Sequence, residues 1–141
     1  MRTMPFDPQN DLAPIPFEDE LCILALEMKQ LGLQWHPHVG CFLWDPDRLI
    51  NYPSPFPNRV YFILSLPRFI DIFGSVENIV AKLVWLPTWH QARLICRQLE
   101  IADDVILVLM QGNKSLTLNE YLKCMYVCIC TALKGQKPDK D

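Results

Sequence analysis

Glycine is scarce in this 141-residue sequence, with five residues against twelve prolines. That scarcity excludes the loops that cradle phosphates, and no G-x-G-x-x-G, P-loop or G-x-S-x-G run is present. No sign of charge dominates either. Thirteen Lys and Arg against sixteen Asp and Glu leave a net charge of −3, which excludes binding that works mainly by phosphate neutralisation, so no nucleic-acid partner is expected. Long hydrophobic runs are missing too. The charge-free stretch near the C-terminus, Cys124 to Leu133, has ten residues, where a membrane span needs about 20. The first ten residues hold no apolar segment of the kind a secretory signal requires, so neither membrane nor export is expected.

Half of the residues are hydrophobic and 21% are charged, the composition of a compact domain rather than a disordered chain. The length suits one core. Residues 1–16 hold four prolines, read as an extended arm; 17–134 read as the domain and 135–141 as a polar tail. Six cysteines could form three disulfides. Cys22, Cys124, Cys128 and Cys130 nevertheless lie in apolar runs, where free thiols act as small hydrophobes, and this implies a reducing, cytoplasmic setting.

Phe17, Leu21, Leu24, Ala25, Met28 and Leu31 recur every three or four residues behind an acidic first turn, and Gly32 stops the pattern, predicting a helix over 17–31. The next twenty residues cluster aromatic and β-branched side chains around Asp45-Pro46-Asp47, which reads as a β-hairpin. Three alternate prolines over 53–58 predict a stiff loop, and the apolar run 59–64 a central strand covered on both faces. Beyond it the cap signals multiply. Ser65 with Pro67, Ser75, and Thr88 with Gln91 open helices; Asp103 or Asp104 favours a helix over 105–110 rather than a strand; Thr117 with Glu120 opens a last helix reaching about Leu133. The expected fold class is α+β: a small, mostly antiparallel sheet of the hairpin plus a third strand, an N-terminal helix and a helical C-terminal half. Exposed sheet edges favour a homo-oligomer, a dimer in the simplest case.

His36 and His38, two apart on an extended segment, share a face and could approach one metal ion, with Cys41, Asp45 and Asp47 as the nearest further ligands. The competing reading is the wet face of an edge strand. Cys124, Cys128 and Cys130 cannot all converge from one helix, because Cys130 is rotated by about 200° from Cys128. Thr88, His90 and Arg93 gather at a helix start whose free N–H groups attract anions, or simply form a capped helix with a solvated basic face. Cys41 beside two histidines is the best nucleophile, although nothing in the sequence lowers its pKa.

Trp35, Trp44, Trp85 and Trp89 are many tryptophans for this length. Core packing is their ordinary work, but Trp44, Tyr52, Phe56 and Trp89 could build a rigid aromatic surface near the prolines. The expected function is a non-enzymatic binding or protein-interaction module, with itself or another protein as partner and no cofactor strongly implied. The alternative is a small metal- or cysteine-dependent enzyme centred on His36, His38 and Cys41.

Overall fold

Helix α1 (Asp19–Gln30) shows how local chemistry sets this chain's elements. The structure, a computed structural model, describes residues 18–54, 56–110 and 118–136. Leu21, Cys22, Ala25 and Met28 form the buried stripe of α1, with Asp19 and Glu20 in its first turn. A Schellman turn closes it: Gly32 N–H donates to Lys29 O and Leu33 N–H to Met28 O, both at 3.0 Å. Gly32 holds φ 95°, which only glycine adopts without strain.

The remaining elements follow in the order β1 (Phe42–Trp44), β2 (Val60–Phe62), α2 (Leu66–Phe73), α3 (Val76–Lys82), β3 (Val84–Leu86), α4 (Trp89–Gln98), α5 (Asp103–Met110) and α6 (Leu118–Gln136). A 3-10 turn, Pro57–Arg59, leads into β2. Two of the expected caps form, while Ser65 precedes α2 without a side-chain cap bond. Ser75 accepts from Asn78 N–H, and Thr88 with Gln91 completes a reciprocal capping box on α4. The run 105–110 is helical, with Asp103 and Asp104 in the first turn of α5.

β1 is the centre of a three-stranded antiparallel sheet in the order β2-β1-β3, with Leu43 opposite both Tyr61 and Trp85. One sheet face meets α1, α4 and α6 through Val60, Val84 and Leu86, with Phe42 and Trp44 packed alongside. The other face carries Leu43 and Tyr61, joined by Cys41, Ile63 and Leu83, against Phe69, Phe73 and Ile79 of α2 and α3. Tyr126 of α6 is completely buried, and its hydroxyl donates to Pro87 O at 2.5 Å. The α+β class, the antiparallel sheet, the N-terminal helix and the helical C-terminal half agree with expectation.

The make-up of the sheet differs. The chain does not return as a strand after Asp45-Pro46-Asp47: the Asp45 carboxylate accepts from Leu49 N–H and Ile50 N–H, at 3.0 and 2.9 Å, and winds the segment into a loop. β1 therefore pairs with β2 across residues 45–59, and its other neighbour is β3, a segment to which the sequence pattern assigns no element. The run 59–64 supplies an edge strand rather than the central one, because helices on both faces can bury an edge as well as a centre. His36 and His38 lie outside any strand, in a segment without regular secondary structure. Helix α6 continues through Gln136, past the expected end near Leu133 and over the first two residues of the expected tail; residues 137–141 lie outside the described residues. The arm 1–16, Phe17, Pro55 and Thr117 lie outside the described residues.

Candidate functional site

Beyond the Schellman turn, residues 33–38 carry no regular secondary structure, and exposure alternates along them. Gln34, His36 and His38 are exposed, whereas Pro37 is buried and Trp35 half-buried. Trp35 lies on Trp85 of β3, with ring centroids 5.8 Å apart and planes inclined by 13°. Across from this pair, α4 presents Gln91, Leu94, Ile95 and Gln98, the i, i+3, i+4, i+7 spacing of one helical face. These three elements enclose an open cavity of about 510 Å³, lined by Gln34, Trp35, His36, His38, Trp85 and the four α4 residues. The volume is within the range of small-molecule sites, about 300–1,000 Å³.

Local bonds fix several polar groups on this wall. Gln91 Oε1 accepts from Thr88 N–H at 2.9 Å, which leaves its Nε2 hydrogens for the cavity. Gln34 Nε2 donates to Gly32 O at 3.1 Å, which leaves Oε1 as an acceptor. Among the described residues, no Lys, Arg, Asp or Glu lines the cavity. The Trp85 Nε1 atom is buried without an acceptor among the described residues, and an orphaned buried donor costs about 1–3 kcal/mol.

His36 and His38 both line this cavity, but no group of three His, Cys, Asp or Glu side chains among the described residues is arranged to hold a metal ion. His38 Nδ1 lies 2.8 Å from His36 O and 3.3 Å from Cys41 Sγ. Burial pushes the Cys41 thiol up, outweighing the opposing hydrogen bond from the His38 backbone, which is the reverse of what a nucleophile needs. Burial also raises Cys124 and Cys128 and takes Cys130 to about 11, and all six cysteines are free.

At the start of α4, the Thr88 hydroxyl is taken by Gln91 N–H at 3.2 Å, and Arg93 is paired with Asp103 at 3.1 Å. Thr88 and Arg93 thus already have partners, while His90 is exposed. The four residues of the expected aromatic surface are placed in three settings. Trp44 and Phe56 pack on the α1/α4/α6 side of the sheet, where Phe56 meets Phe42 edge-on at 5.7 Å. Tyr52 lies edge-on to Tyr61, a residue of the opposite core, with centroids 5.5 Å apart. Trp89 meets Tyr121 of α6 at 6.1 Å. Tyr52 also lines a smaller cavity of about 280 Å³ with Phe62, Ser65, Arg68 and Phe69; the cavity beside α4 is flanked instead by Trp35 with Trp85, and the α4 stripe is a sequence signal that could have pointed to it. No family model, curated protein or solved structure matches the chain.

Proposed function

We propose that this chain is a non-enzymatic, cytoplasmic binding module whose ligand occupies the cavity between residues 33–38, β3 and α4. The observation that carries this reading is the stacked Trp35–Trp85 pair flanking a cavity of about 510 Å³ that no Lys, Arg, Asp or Glu lines among the described residues. Aromatic surface with a few oriented polar groups is the usual composition of a binding pocket. The cysteines support the absence of covalent chemistry and a reducing setting, since burial is the largest cause in every raised thiol. Self-association as a dimer belongs to the same reading, supported by two edge strands and by Leu64, 77% exposed just beyond β2.

The test is a nuclear magnetic resonance screen of a chemically mixed fragment set against the full chain, read at the four indole N–H signals. Hits are expected to move the Trp35 and Trp85 signals and to be lost in Trp35→Ala. Hits that move only Trp44 or Trp89, or a screen in which no indole responds, would overturn the assignment.

A further inference from the structure

The chemistry of the cavity wall narrows the ligand class, an inference that rests on the binding reading above. We infer that the cavity takes an uncharged, planar heteroaromatic molecule with hydrogen-bond donors and acceptors on its edge, the class of free nucleobases and nucleosides.

Charge comes first. A phosphorylated ligand needs Lys, Arg or a helix N-terminus, and a quaternary cation gains from a carboxylate beside the aromatic rings. No Lys, Arg, Asp or Glu lines the cavity among the described residues, its two ionisable lining residues being His36 and His38, and at the start of α4 the capping box already engages the Thr88 and Gln91 N–H groups. Apart from His36 and His38, both exposed, a charged group desolvated against this wall would meet no charged partner among the described residues.

Shape comes second. A ring sandwiched between two others needs about 7 Å between them. Trp35 and Trp85, nearly parallel at 5.8 Å, are too close to admit one. A flat guest therefore extends the stack or lies along its edge, where an aliphatic ligand would gain less contact.

The edge comes third. Gln91 offers Nε2–H, held in place because its Oε1 is engaged by Thr88, and Gln34 offers Oε1, held because its Nε2 is engaged by Gly32. A donor on one wall and an acceptor on the other match the mixed edge of a nucleobase, and each is pre-oriented, which lowers the ordering cost of binding.

The experiment titrates the full chain with adenine, adenosine, cytosine, AMP, choline and a proline-rich peptide, following the Trp35 and Trp85 indole signals. Adenine, adenosine or cytosine should move both signals, and the phosphate of AMP should bring no gain over adenosine. Gln91→Glu preserves the capping box, since Glu also serves at that position, but replaces the donor with a carboxylate; affinity should fall about tenfold or more with the fold unchanged. AMP binding tighter than adenosine, or binding confined to choline or the peptide, would overturn the ligand class and leave the cavity reading standing. If no probe moves either indole, the ligand class falls, and the mixed fragment screen decides the cavity reading separately.

Discussion

Arg59 Nη2 stands 2.6 Å from the carboxylate of Asp45, a side chain with no solvent exposure at all. The same guanidinium donates from Nη2 to Ile50 O at 2.9 Å and from Nε to Asp45 O at 3.2 Å. Asp45 in turn accepts from Leu49 and Ile50 N–H. One buried carboxylate thus ties the chain leaving β1 to the residue entering β2, and the side-chain bond to Asp45 is the main reason the Arg59 pKa is raised. This knot replaces the tight hairpin turn that Asp45-Pro46-Asp47 suggests.

Removing the carboxylate strands two backbone donors and a guanidinium. Asp45→Ala should therefore cost about 3 kcal/mol in urea unfolding. Arg59→Lys retains a charge but not the planar fork, and should cost about 1–2 kcal/mol. An Asp45→Ala midpoint close to wild type would show that the loop is held by its packing instead.

The helices were legible because their signals are local. Thr88 and Gln91, Ser75 and Asn78, and Gly32 after α1 each act within a few residues. The sheet was not, because each strand is three residues long and pairing joins Leu43 to Trp85 across two helices. A three-residue strand is too short to display a period of two. The same distance hid the cavity: Trp35 and Trp85 belong to separate segments, and their stacking depends on β3 being a strand. The fixed amide of Gln91 follows from the capping-box spacing of Thr88 and Gln91, whereas that of Gln34 depends on a bond to Gly32 O that no spacing reveals.

α4 ends in the same Schellman turn as α1, with Glu100 N–H donating to Arg97 O and Ile101 N–H to Cys96 O. Here the left-handed position is held by Glu100, φ 59°, where α1 uses glycine. A side chain there costs about 1 kcal/mol. Glu100→Gly should raise stability by about 0.5–1 kcal/mol without altering the cavity. A loss of stability in thermal or urea unfolding would mean that Glu100 makes a compensating contact.

Tyr126 links the middle of α6 to the turn that opens α4 through a buried hydroxyl. Tyr126→Phe retains the ring and leaves Pro87 O without that donor. The expected cost is about 1–2 kcal/mol. A neutral substitution, measured by urea midpoint, would show that Pro87 O finds another donor.

Burial raises Cys22 to about 12 and Cys96 and Cys130 to about 11, from an ordinary 9.0. Above about pH 9 the unfolded chain releases these thiol protons while the folded chain keeps them, so unfolding is favoured as pH rises. The stabilisation is complete below the unfolded pKa and is lost through the window from 9 to 11–12, each thiol contributing up to about 1.4 kcal/mol per pH unit. Tyr126, raised by burial, acts in the same direction at higher pH; Lys29, lowered by burial, acts in the opposite one. The informative quantity is therefore the difference between wild type and Cys22→Ala, followed by urea unfolding in reducing buffer. Cys22→Ala should be less stable than wild type near neutral pH, because a core thiol is lost, and the gap should narrow as pH rises above about 9. Parallel curves would mean that Cys22 ionises alike in the folded and unfolded chain, and that its site in α1 is wetter than its burial implies.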